Sequence, residues 1–142
     1  MPTEERQVRP ANKYHIDTDP ATEGLSSISL IISDRRCYQC QQGEGFEEVI
    51  QKTPAELIEQ INAHCATTSD YLLPDTPLKE AVFRLILASG NQPIDAEEVS
   101  KDLTERWAVS AYPRDVSPTV AQRLLDSSEA YNIAALPSED MQ

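Results

Sequence analysis

The stretch TPLKEAVFRLILASGNQPIDAEEVSKDL, residues 76–103, predicts two helices joined by a tight turn. Pro77 suits the first position of a helix, and Gly90 stands where a glycine commonly ends one. Asp95 is a candidate N-cap for the second helix, and Glu98, three residues later, completes a capping box. The second half of the chain is therefore predicted to be helical.

A third helix and a strand are predicted to follow. Ser117 and Pro118 open the segment SPTVAQRLLDSS, whose apolar residues fall on one helical stripe. Tyr131 and Ile133 then indicate a strand in AYNIAAL, residues 130–136. Three helices followed by a strand, in this order and within one small unit, are typical of a winged-helix domain.

The segment LKEAVFRLILASGNQPIDAEEVSKDL resembles the start of the HARE-HTH winged-helix domains, which occur in the bacterial RNA polymerase delta subunit and in chromatin-associated proteins. The matching features are LKEA at residues 78–81, the turn from Gly90 to Pro93, and the pair Glu98 and Val99. The resemblance covers about residues 76–136, and it implies a winged-helix fold that associates with nucleic acid or with a transcription complex. Only a short acidic tail, residues 138–142, follows, so the last wing strand is expected to be missing.

The charge of the chain opposes direct DNA binding. The whole sequence has a net charge of −12, and residues 77–137 carry nine acidic and six basic residues, a net charge of −3. Strong DNA binding typically uses on the order of six phosphate contacts from Lys and Arg. We therefore expect this unit to dock a protein partner, with a sequence-specific DNA-binding transcriptional regulator as the alternative. The expected contact face consists of Tyr112, Arg114, Gln122 and Arg123.

The first half of the chain predicts a smaller unit. Residues 1–24 are polar and lack an apolar period, so a flexible arm is expected there. LSSISLII, residues 25–32, alternates in the manner of a strand, whereas FEEVI, residues 46–50, suits either a strand or a helical turn. A helix is predicted in TPAELIEQINAHC, where Thr53 and Glu56 form a capping box.

Two cysteines, Cys37 and Cys40, have the Cys-x-x-Cys spacing that commonly supplies two thiolates to one zinc ion. Zinc takes four ligands, and the end of the predicted helix offers His64 and Cys65. Adjacent helical residues point about 100° apart, so both can bind one ion only if the helix unwinds there. The polar, β-branched sequence that follows favours such unwinding. One structural zinc ion is therefore predicted at these four residues.

Two other interpretations of the cysteines remain open. Cys-x-x-Cys after a strand also occurs in thiol–disulfide oxidoreductases, although two glycines, Gly43 and Gly45, break the helix that such a motif begins. Cys65, on the apolar stripe of its helix, also fits a plain core residue. The sequence contains no phosphate-binding loop and no hydrolase or zinc-protease signature, and it offers two histidines for acid–base chemistry. A non-enzymatic protein is therefore expected.

The predicted fold class is α+β, mostly α. A zinc-knuckle-like α/β unit at residues 25–70 is followed by a winged-helix-like three-helix unit at residues 75–137. No apolar run is long enough to cross a bilayer, and the N-terminal segment lacks the apolar region of a secretory signal. We therefore expect a cytoplasmic protein with no membrane association, where a structural disulfide is disfavoured. The leading hypothesis is an acidic, zinc-binding interaction module attached to the transcription machinery.

Overall fold

The computed structural model of the protein describes residues 13–18, 27–42, 44–68, 70–110, 113–128 and 131–136. These residues are mostly helical, with one small antiparallel sheet, which confirms the predicted α+β, mostly α class. In chain order the elements are β1 (Lys13–Ile16), α1 (Ser27–Ser33), α2 (Tyr38–Gln41), α3 (Phe46–Ile50), α4 (Pro54–Ala63), a 3₁₀ turn (Cys65–Thr67), α5 (Leu78–Ala88), α6 (Ala96–Trp107), α7 (Pro118–Asp126) and β2 (Ile133–Leu136).

The sheet joins the two ends of the described chain. β1 runs antiparallel to β2, with Ile16 opposite Ile133, and Tyr14 exchanges backbone hydrogen bonds with Ile94 at 2.8 and 3.0 Å. Tyr14 and Ile16 are buried. The predicted flexible arm is therefore wrong for residues 13–16, because a partner strand from the far end of the chain anchors them. Most of the remaining arm, and the predicted acidic tail, lie outside the described residues.

The segment predicted as the first strand forms the helix α1 instead. Four of its residues are buried at the spacing i, i+1, i+4 and i+5 of a helical stripe, namely Ile28, Ser29, Ile32 and Ser33. Ser29 Oγ donates a 3.3 Å hydrogen bond to a backbone carbonyl in the loop before α4, so this buried hydroxyl has a partner. FEEVI, which left strand and helix open, is the helix α3.

The helices predicted from capping signals are confirmed. The side chains of Thr53, Asp95 and Ser117 accept hydrogen bonds from first-turn N–H groups of α4, α6 and α7. Gly90 follows α5 with a φ of 77°, a left-handed conformation that favours glycine. Pro77 precedes the first residue of α5 rather than occupying it.

One hydrophobic core includes residues from both predicted units. It contains Ile32 from the first unit and Phe83 and Leu103 from the second. Trp107 is also buried, and its indole N–H donates to the carbonyl oxygen of Leu72 at 3.1 Å. The two predicted units therefore pack as one body around shared apolar side chains.

A half-buried ion-pair network joins the chain after α1 to α5, and we call it the Glu80 network (Arg35, Glu80, Arg84 and Tyr131). The Glu80 carboxylate accepts hydrogen bonds from Arg35 at 2.6 and 2.8 Å, from Arg84 at 2.8 Å and from the Tyr131 hydroxyl at 3.1 Å. The Arg35 guanidinium also lies 5.2 Å from the centre of the Phe83 ring. These contacts hold the chain just before the cysteines against α5.

Candidate metal centre

Cys37 and Cys40 lie in one tight turn, residues 37–41, which we call the knuckle. Cys37 has extended backbone dihedrals and precedes the single turn of α2. Its carbonyl oxygen accepts hydrogen bonds from the N–H groups of Cys40 and Gln41, both at 3.1 Å. As a result, both sulfur atoms lie 3.5 Å from the same atom, His64 Nδ1.

The other two candidate ligands come from the end of α4. This helix ends at Ala63, and His64 departs from helical geometry with φ of −131° and ψ of −60°. Cys65 then begins the 3₁₀ turn. The predicted unwinding is confirmed, and it allows two adjacent residues to face the knuckle together, which a continuous helix would prevent.

The candidate ligand atoms of Cys37, Cys40, His64 and Cys65 all lie within 4.8 Å of one another. Cys40 Sγ is 3.6 Å from Cys65 Sγ and 3.5 Å from His64 Nδ1. Ligands placed tetrahedrally around zinc would lie about 3.8 Å apart for two sulfurs and about 3.6 Å apart for sulfur and nitrogen. The observed separations are close to these values, and the sulfur–sulfur distance of 3.6 Å between Cys40 and Cys65 is too long for a disulfide bond of about 2.05 Å. The four residues could therefore hold a metal ion.

The donor set consists of three sulfur atoms and one imidazole nitrogen. Cys65 is buried, Cys37 and Cys40 are half-buried, and His64 is exposed, so the cluster lies at the edge of the core. All three cysteines are free. A set of this softness suits zinc and similar metals better than calcium or magnesium, which prefer oxygen ligands.

The three thiols differ in pKa. Desolvation acts to raise the pKa of Cys37, but hydrogen bonds from the Cys40 N–H and from neighbouring side chains outweigh it and lower this pKa to about 7. Desolvation and hydrogen bonding with Cys65 raise the pKa of Cys40 to about 12, and burial raises the pKa of Cys65. Cys37 therefore ionises most readily, whereas a bound cation would favour ionisation of Cys40 and Cys65 near neutral pH.

Arg36, the residue before the knuckle, was missed by the sequence analysis. Its side chain is only 1% exposed. The guanidinium donates hydrogen bonds to Glu44 at 2.6 Å, to Ser33 Oγ at 2.7 Å and to Gln60 at 2.9 Å. The residues around Arg36 give no sign of this burial, because an arginine in a polar run is usually exposed.

The structure describes three of the four residues predicted to contact a partner, because Tyr112 lies outside the described residues. The Arg114 guanidinium donates to two backbone carbonyls of the loop before α5 and lies 5.1 Å from the centre of the Trp107 ring. Gln122 donates to the Tyr14 hydroxyl at 2.9 Å. Arg123 is exposed on α7. Arg114 and Gln122 thus have partners within the protein, and Arg123 faces solvent.

No protein-family model, no curated protein and no solved structure matches the chain. Within the described ranges, none of the helices has both the length and the apolar composition that a bilayer crossing requires. Function is therefore inferred from the four-residue cluster and the surface around it.

Proposed function

We propose that the cluster binds one zinc ion, which holds the knuckle against the end of α4, and that the protein is a non-enzymatic interaction module. The observation that carries this proposal is the set of separations among the candidate ligand atoms, 3.5, 3.5 and 3.6 Å. Zinc is favoured because tetrahedral Cys and His coordination is its usual structural form. Four protein ligands leave no open position for water, which supports a structural ion.

A thiol–disulfide oxidoreductase is the less favoured alternative. A redox Cys-x-x-Cys motif begins a helix that lowers the pKa of its first thiol, and it acts as a pair. Here α2 contains four residues, and Cys40 Sγ is close to both Cys65 Sγ and His64 Nδ1. A third thiol and an imidazole in contact with the pair fit metal ligation better than redox exchange.

The first prediction concerns metal content and the fourth ligand. We expect purified protein to contain one zinc ion per chain, measured by elemental analysis. His64→Ala should weaken zinc binding by at least about 10- to 100-fold in competition with a chromogenic chelator, because loss of a ligand should cost no less than loss of a residue that only orients one. His15→Ala is the matched control, since His15 lies on β1 outside the cluster, and it should leave the affinity unchanged.

Protein without stoichiometric metal would contradict the zinc proposal as a whole. Zinc affinity that survives His64→Ala unchanged would instead retain the three cysteines and exclude only the imidazole as a ligand.

The proposed partner is a protein rather than duplex DNA. The net charge of −12 repels phosphate backbones. Val109 is 90% exposed and Leu73 is 43% exposed, and both are large apolar side chains. An apolar cleft of about 590 Å³ is lined by Leu73, Pro74, Asp75, Pro113 and Arg114. Apolar surface of this kind suits a protein partner, and the resemblance to HARE-HTH domains makes a transcription complex the first one to test.

The second prediction is weak and sequence-independent DNA binding. Fluorescence anisotropy with duplex DNA at low salt should give no submicromolar affinity, because α7 exposes few cations and the protein field is negative. Submicromolar, sequence-dependent binding would favour the DNA-binding regulator if Arg123→Ala abolished it. Arg106→Ala, which removes an exposed arginine from α6, is the matched control for a nonspecific loss of charge.

A further inference from the structure

Arg36 is a buried cation, and a buried charge is costly unless the surrounding structure pairs it and satisfies its hydrogen bonds. Its charge is paired with Glu44, whose carboxylate is 2.6 Å from Arg36 and 3.5 Å from Lys52. The hydrogen bond from Arg36, reinforced by these positive charges, holds the pKa of Glu44 below its ordinary value. Arg36 and Glu44 therefore form a satisfied ion pair. Arg36 lies directly beside the candidate ligand Cys37 in the chain.

The backbone and side chain of Arg36 contact the knuckle. Its carbonyl oxygen accepts a 2.6 Å hydrogen bond from the side-chain amide of Gln41, the last residue of the knuckle. Its guanidinium approaches the carbonyl oxygen of Cys40 at 3.5 Å. Arg36 is thus joined at two points to the turn that presents Cys37 and Cys40.

The same guanidinium also contacts α4. It donates to Gln60 Oε1 at 2.9 Å, and the backbone carbonyl of Gln60 accepts the N–H of His64 at 2.9 Å. Gln60 lies one helical turn before His64, so it belongs to the segment that presents the second pair of ligands. Arg36 therefore bridges the two halves of the cluster.

The charge of Arg36 complements that of the proposed centre. A zinc ion with three thiolates and one neutral imidazole has a net charge of about −1. A cation on the residue next to Cys37 opposes this charge in a region where Arg36 is 1% exposed and screening by water is weak.

We propose that Arg36 is a positioning residue of the metal centre, which fixes the separation between the knuckle and the end of α4 and thereby sets the zinc affinity. This inference rests on the proposed zinc binding. Residues that orient metal ligands from outside the coordination shell typically change metal affinity by 10- to 100-fold.

The test compares the same substitution at two adjacent arginines. Arg36→Lys keeps the positive charge but cannot reproduce the planar set of hydrogen bonds, so zinc affinity should fall by about 10-fold in chelator competition. Arg35→Lys is the matched control, because Arg35 pairs with Glu80 of α5 rather than with Gln60, and it should leave the zinc affinity unchanged. With cobalt in place of zinc, the visible absorption of the Arg36→Lys protein should differ from that of the wild type, and that of Arg35→Lys should not.

The outcomes separate this inference from the zinc proposal. If the wild type binds no zinc, the proposed function fails and the inference fails with it. If the wild type binds zinc and Arg36→Lys binds it equally well, only the positioning role is wrong. Equal losses in both lysine variants would indicate general destabilisation and would also overturn the role.

A second variant covers the case in which Arg36→Lys does not fold. Gln60→Met keeps a good helix former in α4 and removes the oxygen that accepts from Arg36. It should reduce zinc affinity severalfold and alter the cobalt spectrum in the same direction. An unchanged affinity and spectrum in Gln60→Met would overturn the proposed bridge.

Discussion

Chelation of the proposed zinc ion is expected to abolish hydrogen-exchange protection in the knuckle and in the 3₁₀ turn, while α5, α6 and α7 keep most of theirs. Of the side chains described between residues 34 and 56, the buried ones are Arg36 and Val49. The described side chains of this segment therefore contribute little apolar burial. Structural zinc supplies about 10 kcal/mol or more of apparent binding free energy in small finger peptides at neutral pH. We therefore expect the segment around the proposed ion to depend on it most.

The helices beyond the cluster have a different source of stability. Phe83, Leu103, Trp107 and Leu125 are buried to 1% exposure or less, and they come from α5, α6 and α7. Burial of each such side chain contributes roughly 1.5–3 kcal/mol without any metal. We therefore expect local rather than global loss of protection, even though the whole chain shares one core.

Mass-spectrometric hydrogen exchange, with and without chelator, measures this difference directly. Re-addition of zinc should restore protection in the wild type but not in Cys40→Ser, which lacks one ligand and serves as the matched control. A uniform loss across the chain would contradict the local role of the ion. Unchanged exchange after complete zinc removal would contradict the structural role itself.

The helices α4, α6 and α7 were predictable because their capping residues act locally. Thr53 accepts from the N–H of Glu56, and Asp95 accepts from the N–H of Glu98, as the spacing of these residues indicates. The proximity of the four candidate ligands was also predictable. Cys-x-x-Cys commonly supplies two of the four zinc ligands, and the third cysteine stands beside a histidine at the end of a predicted helix. In these cases the neighbouring residues alone were sufficient to predict the structure.

The first strand prediction failed for a definable reason. Ile28 and Ile32 are four residues apart, and an even spacing of this size places them on one face of a strand and also on one face of a helix. The burial of Ser29 and Ser33 selects the helix, but serines give little sign in a sequence that they will be buried. The hydrogen-bond partners of these two hydroxyls come from outside α1. The carbonyl oxygen of Lys52 accepts from Ser29, and the Arg36 guanidinium donates to Ser33.

β1 and Arg36 were not predictable because distant contacts determine them. The segment KYHI becomes a strand because it pairs with IAAL at the other end of the chain. Arg36 is buried because Glu44 and Gln60, from two later segments, meet its guanidinium. Neither feature leaves a periodic signal in the residues around it.

Glu80→Gln is expected to produce the second large effect, a loss of about 3 kcal/mol in the free energy of unfolding at neutral pH. The substitution removes the negative charge that pairs with the half-buried guanidinium groups of Arg35 and Arg84. The side chains of Glu80, Arg35 and Arg84 are 15%, 18% and 25% exposed, so water screens the network only in part. Denaturant unfolding measures the loss. Glu105→Gln is the matched control, since it neutralises an exposed glutamate on α6 and should change stability by less than about 0.5 kcal/mol.

The same pair of proteins tests how stability depends on pH. Desolvation acts to raise the pKa of Glu80, but hydrogen bonds and charges from Arg35 and Arg84 outweigh it and lower this pKa to about 2. A carboxyl whose pKa is depressed by folding stabilises the protein fully above its unfolded pKa, and the contribution is lost as the pH falls towards the folded value. The difference in unfolding free energy between wild type and Glu80→Gln should therefore hold from about pH 7 to about pH 5.5 and then shrink steadily.

Acid also protonates the candidate metal ligands, but it does so in both proteins, so the difference between them isolates Glu80. If the difference in unfolding free energy stays constant down to about pH 3, the charge of the Glu80 carboxylate does not stabilise the protein. A stabilising carboxylate would lose its contribution as it gains a proton. A loss of less than about 1 kcal/mol at neutral pH would place the network among surface ion pairs of little energetic value. The expected combination, a large loss at neutral pH that narrows in acid, follows only if Glu80 is charged and paired inside the fold.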